Sequence, residues 1–211
     1  MHNKQNKGYV EKEYDNDIII YIEDTFKALA DAIVPWTPTL GKIFGVIQSY
    51  GAQALYTDEY TIYSLNYFEI PLALPTAQML DVAASELMNL SQNKQYQNDR
   101  IYPMEGSFAF LLPKDRFRAI TLLEDLNINL TQLPMPYKNN PGLVLSMTSA
   151  LNRFVTMGYY SEWWAYGTTR LDSPNKRQLE AFPISWEQVD YPGPSYGYKV
   201  FRGYLINEFT D

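Results

Sequence analysis

Apolar residues recur along this chain at steps of three and four, the period at which side chains return to one face of an α-helix. Ile19, Ile22, Phe26, Leu29 and Ile33 form the first such stripe, closed by Pro35. On its polar side Glu23 and Lys27 stand one turn apart, the spacing of a helical ion pair. A second helix is expected from Gly51 to Phe68, where Tyr56, Tyr60, Tyr63 and Tyr67 mark one face. That face reads either as a helix–helix contact with hydroxyls reaching water or as a ligand groove. Thr76 is placed to cap a third helix carrying Leu80, Ala83, Leu87 and Leu90. A fourth begins near Pro113 and Asp115, with Phe117, Ile120, Leu123 and Leu126 directed inward. The fifth starts at about Leu143 and turns Met147, Leu151, Phe154 and Gly158 to the core.

Between these stripes the chain is punctuated by proline, glycine and polar runs. The segment VPWTPTLGK (34–42) reads as an ordered loop with Trp36 plugging it onto the core. SQNKQYQNDR (91–100) reads as a solvated connection, and NLTQLPMPYKNNPG (129–142), with three prolines, as a loop. Phe108 to Leu112 suits a short strand or the approach to the next helix equally well. The expected fold is therefore all-α or nearly so: about five helices with long ordered loops. A flexible polar leader is assigned to residues 1–17, a single helical domain to 18–211, and an irregular Gly- and Pro-rich tail to 167–211.

Composition narrows the chemistry. The 211 residues carry a net charge of −7 and no cluster of Lys and Arg, which argues against a nucleic-acid partner. There is no cysteine, so thiolate catalysis, disulfides and Cys-ligated zinc are absent. The single histidine, His2, lies in the leader. IIIYI (18–22) and FAFLL (108–112) fall short of the ~18 apolar residues of a membrane span. The leader shows neither an apolar stretch nor an arginine pair, so no export signal is expected and the default compartment is the cytoplasm.

Gly193-Pro194-Ser195-Tyr196-Gly197 matches the letters of a nucleophile elbow. No apolar strand precedes it and no internal histidine is present, so Ser195 reads as a turn residue. The adjoining acids Glu23/Asp24, Asp58/Glu59 and Glu124/Asp125 diverge on a helix and read as solvated faces. Gly41 to Gly45 lacks the Gly-Lys-Ser/Thr end of a phosphate loop, and no dinucleotide fingerprint occurs.

Aromatic residues are 15% of the chain, with 18 tyrosines, and they crowd its end. Tyr159, Tyr160, Trp163, Trp164, Tyr166, Tyr191, Tyr196 and Tyr198, with Pro192, Gly193 and Arg202, form the candidate contact surface, in which Trp163 and Trp164 are the anchors. Three uses of these rings remain open: a protein interface, packing on the chain's own helices, and a carbohydrate or other small-ligand site.

FKALADAIVPWTPTLGK (26–42), FAFLLPKDRFRAITLLEDL (108–126) and FVTMGYYSEWWAYG (154–167), followed by YPGPSYGY (191–198), resemble the gluconate 2-dehydrogenase subunit 3 family. The resemblance implies a small, mostly helical, non-catalytic accessory subunit. Its partner would be a large flavoprotein of the glucose-methanol-choline oxidoreductase type, which carries the FAD; no cofactor is expected in this chain. Many members of that family are exported through a twin-arginine signal, so the resemblance also implies an exported complex, from which the leader departs.

Overall fold

The computed structural model describes residues 15–90 and 106–193, and throughout them the fold is all-α. Five longer helices build the body: α1 (Asn16–Ile33), α3 (Thr57–Asn66), α4 (Ala73–Asn89), α6 (Pro113–Glu124) and α7 (Pro141–Tyr160). Three short ones join them: α2 (Pro38–Phe44), α5 (Ser107–Phe110) and α8 (Ile184–Gln188). Single 3-10 turns occupy Val46–Ser49 and Ala52–Leu55, and a run of such turns, broken at Gly167, covers Trp163–Thr169.

Helix α1 lies at the centre and packs against α3, α4, α5, α6 and α7. Its apolar stripe explains this position: Ile22, Phe26 and Leu29 are buried, together with Ala28, Ala30 and Ala32, small enough to let neighbouring helices approach. Ile19, at the exposed first turn, is the member of the stripe left outside. Leu80, Ala83 and Leu87 of α4 and Met147, Leu151 and Val155 of α7 complete the core. Helix α7 begins where Pro141 supplies a preset φ at the first position and Asn140 accepts a hydrogen bond from the amide of Leu143.

Buried polar groups tie the helices where apolar contact would not set their register. Arg116 of α6 is fully enclosed; its guanidinium donates to Ala28 O (3.0 Å), Ala109 O (3.0 Å) and Asp31 Oδ2 (3.3 Å), joining α6 to α1 and α5. Asp81 of α4 accepts from Tyr21 Oη (2.6 Å) and from the amide of Phe108 (2.8 Å), joining α1 and α5. Thr76 and Tyr137 share a 2.6 Å hydrogen bond that seats the loop after α6 on α4.

Several expectations are corrected. Thr76 caps nothing: α4 starts at Ala73, and Thr76 is a buried residue of its first turn. Segment 34–42 is not all loop, because Pro38 opens α2. Trp36 does not plug the core but stands 64% exposed. It is the Trp36 backbone, not its ring, that packs close, against Gly51, where a Cβ would lie 2.9 Å from the Trp36 amide nitrogen. Phe117 is exposed, because the inward face of α6 is Asp115, Arg116, Ala119, Leu122 and Leu123. Leu90, at the end of α4, is exposed as well. The ambiguous apolar run at 108 belongs to α5, a single helical turn. The helix expected over 51–68 is confined to Thr57–Asn66, preceded by 3-10 turns. The segment after Gly167 includes α8. His2 and the 91–100 connection lie outside the described residues.

Candidate interaction surface

The late aromatics divide into an inner and an outer set. Tyr159 and Trp163, expected on a contact surface, are buried at 1% and 2% exposure. Tyr159 is inside because α7 ends over the first 3-10 turn, where the phenol donates toward both Ile47 O (2.6 Å) and Tyr50 O (3.0 Å). Burial pushes its pKa up to about 12. Trp163 is enclosed by the tyrosine face of α3: the Tyr60 ring meets it edge-on at 5.3 Å and the Tyr63 ring at 5.6 Å. Gly158 permits this closure, since a Cβ there would sit 2.8 Å from Tyr60. The contact reading of the tyrosine stripe therefore holds for Tyr60 and Tyr63, whereas Tyr56 and Tyr67, at the helix ends, are exposed.

Trp163 as a solvent-facing anchor is thus corrected. Trp164 and Tyr166 are half-buried, the latter donating to Glu162 at 3.0 Å. Tyr160 (52%) and Tyr191 (42%) are exposed, as is Pro192, and Gly193 is half-buried. Tyr196, Tyr198, Arg202 and Ser195 lie outside the described residues.

What the sequence reading missed is a larger apolar face on and around α2. No residue of α2 is buried. Leu40, Ile43 (72%) and Phe44 (62%), flanked by Trp36 and Val46, present their side chains to solvent. The face continues onto α8 through Gln188, which donates to Phe44 O and accepts from the Ile47 amide (3.1 Å). Gly45 makes this clamp possible: it holds φ +109, and a Cβ there would overlap the Gln188 side chain. Val189 (69%) and Tyr191 extend the face beyond α8, with Tyr191 edge-on to Trp186 at 5.0 Å. On the other border Gln48 donates to Tyr160 Oη at 3.0 Å. The signal was present in KIFGV, but its proximity to residues 188–191 is a tertiary fact.

The acid pairs are not uniformly solvated. Asp24 and Asp58 are buried while Glu23 and Glu59 are half-buried, because neighbours on a helix face different ways. Desolvation pushes the Asp58 carboxyl up to about 6, with Glu59 adding to the rise and Lys27 opposing it. Lys27 pairs with Glu23 at 3.2 Å and lies 3.9 Å from Asp24. A cleft of about 230 Å³ between α6 and α7 is lined by Ile33, Phe117, Ile120, Thr148 and Leu151, with Glu124 as its one carboxylate. Among the described residues no three His, Asp or Glu side chains assemble in a metal-binding arrangement. No described helix is long and apolar enough to cross a membrane. Comparison with known proteins finds no matching family model, curated protein or solved structure.

Proposed function

We propose that this chain is a non-catalytic accessory subunit that docks on, and stabilises or matures, a large flavin-dependent sugar or alcohol dehydrogenase. The observation that carries the reading is the apolar face of Trp36, Ile43, Phe44, Val46 and Val189, five large side chains held at the surface by a clamped backbone. Soluble domains seldom leave a contiguous group of this kind uncovered unless something binds there. Aromatic and branched aliphatic anchors on a fixed backbone lose little entropy on docking, and a buried anchor contributes ~2 kcal/mol or more. The flavoprotein as partner rests on the likeness of residues 26–42, 108–126, 154–167 and 191–198 to the gluconate 2-dehydrogenase subunit 3 family. In this reading Tyr160 and Tyr191 form the rim, and FAD belongs to the partner.

The test is co-expression with a large flavin-dependent dehydrogenase of the same organism, followed by size-exclusion chromatography. Wild type is expected to elute with the flavin absorbance, and the Ile43→Asp/Phe44→Asp double variant to elute alone with an unchanged melting curve. Both residues are solvent-exposed, so their replacement should alter stability by no more than ~0.5 kcal/mol each. Co-elution that survives the double variant would place the interface elsewhere. A wild-type chain that never associates with the flavoprotein would remove the reading altogether.

A further inference from the structure

Beyond the docking face, a second arrangement of rings surrounds a positive charge. The guanidinium carbon of Arg177 lies 4.6 Å from the centroid of Tyr63, 4.9 Å from that of Trp163 and 6.0 Å from that of Tyr166. Three π-faces around one cation attract it electrostatically, and more strongly where water is excluded. Trp163 is buried, Tyr63 and Tyr166 are half-buried, and Glu162, accepting from Tyr166, places a carboxylate beside the cage.

We propose that the Tyr63, Trp163 and Tyr166 rings form a binding site for an organic cation, guanidinium or alkylated ammonium, in which Arg177 is a tethered and exchangeable occupant. The contrast with Arg170 supports exchange. Arg170 also stands over a tyrosine, Tyr56, at 3.8 Å, but it donates to both oxygens of Glu59 at 3.0 and 3.3 Å and to Gly167 O. Removing Arg170 would break an ion pair. Arg177 has no carboxylate partner among the described residues; its Nε donates to Asp172 O within its own loop, and its buried Nη2 has no acceptor. Its position therefore rests on the rings and on one hydrogen bond to a neutral carbonyl of its own loop, and the rings do not discriminate one cation from another of similar size.

Backbone hydrogen bonds anchor the two ends of this loop, from the Asp172 amide to Thr169 O and from the Glu180 and Ala181 amides to Ala165 O. Between them Pro174 to Lys176 and Gln178 to Glu180 are exposed. The backbone is also pinned next to Arg177, where the Gln178 amide donates to Thr169 Oγ1 (3.0 Å) and that hydroxyl donates to Gln178 O (3.1 Å), so exchange is a swing of the Arg177 side chain alone, with the ring walls of α3 and of the turn after α7 staying in place. A tethered group competes at an effective concentration on the order of mM, so the wild-type cage should admit a free cation only above that range.

Tetramethylammonium chloride, compared with sodium chloride at equal ionic strength, is the probe. The Arg177→Ala variant should show a saturable tryptophan fluorescence change with a midpoint about tenfold or more below that of wild type. Adding Tyr166→Leu should weaken the response again. A folded Arg177→Ala protein that responds equally to both salts overturns the proposal, as does a response indifferent to Tyr166→Leu. If Arg177→Ala does not fold, the Arg177 Nε–H resonance of wild type decides. Movement toward its solvent-exposed shift with tetramethylammonium supports exchange, and a resonance that stays in place at saturating salt refutes it.

Discussion

Replacing Arg116 by Met isolates the one charge that is completely enclosed among the described residues. The guanidinium bridges three elements through Ala28 O, Ala109 O and Asp31 Oδ2. Methionine keeps much of the apolar stem, so the change is mainly electrostatic. It strips a nearly buried Asp31 of its cation and leaves the Ala109 carbonyl without this donor. Removing one member of a buried pair typically costs about 3–5 kcal/mol, because the remaining charge is still desolvated. For a chain of this size each kcal/mol lowers the melting temperature by about 2–4 °C, so a fall of roughly 10 °C is expected. Thermal unfolding followed by circular dichroism measures the fall in melting temperature, and urea unfolding the loss of free energy. Asp31→Asn should cost less, about 1–3 kcal/mol, because the amide oxygen still accepts and the enclosed Arg116 cation, though it loses its counter-charge, keeps the Ala28 and Ala109 carbonyls. The double variant should be less than additive, with a coupling of about 1–3 kcal/mol. A loss under about 1 kcal/mol in Arg116→Met, or strict additivity, would show that the guanidinium does not hold α6 to α1 in the way described.

The remaining expectations are smaller in scope. Trp163→Ala should destabilise the fold by about 3–5 kcal/mol, read by thermal melting, because it empties an enclosed aromatic cluster; an unchanged melt would return Trp163 to the surface. In Gly158→Ala the new Cβ meets Tyr60 at 2.8 Å, so overpacking of about 1–3 kcal/mol should exceed the ~1 kcal/mol gain in helix propensity. In a Tyr60→Ala background, which removes the Cγ and Cδ1 atoms that the new Cβ meets, the same substitution should become neutral or stabilising. Asp58, raised from 3.8 to about 6, binds a proton in the folded state that the unfolded chain has already released. Its contribution is therefore complete below pH ~4 and is lost as pH rises through about 6, a difference of ~3 kcal/mol. Asp58→Asn should be about 1–3 kcal/mol more stable than wild type at pH 8 and nearly equal to it at pH 4; urea midpoints at the two pH values test this.

The helices were readable in the residues because a period of 3.6 is a local property. The stripe from Ile19 to Ile33 and that from Met147 to Gly158 each define one face without reference to the rest of the chain. Pro113 likewise marks a helix start through its own fixed φ, whereas Pro141, expected in the loop 129–142, in fact opens α7. The Glu23–Lys27 pair was legible for the same reason, four residues apart on one element. Composition alone ruled out cysteine chemistry.

Which residues lie inside was decided by partners far away in sequence. Arg116 is buried because its acceptors Ala28 and Asp31, 88 and 85 residues distant, close over it. Tyr159 and Tyr160 are chemically identical neighbours, yet one is enclosed by carbonyls 112 and 109 residues away while the other faces solvent. Trp36 and Trp163 exchanged the places expected of them, the first exposed beside a backbone packed on Gly51 and the second covered by the tyrosines of α3. Periodicity carries no information about such contacts: a ring satisfied by a distant helix and a ring awaiting a partner have the same spacing, and only the packing of the helices separates them.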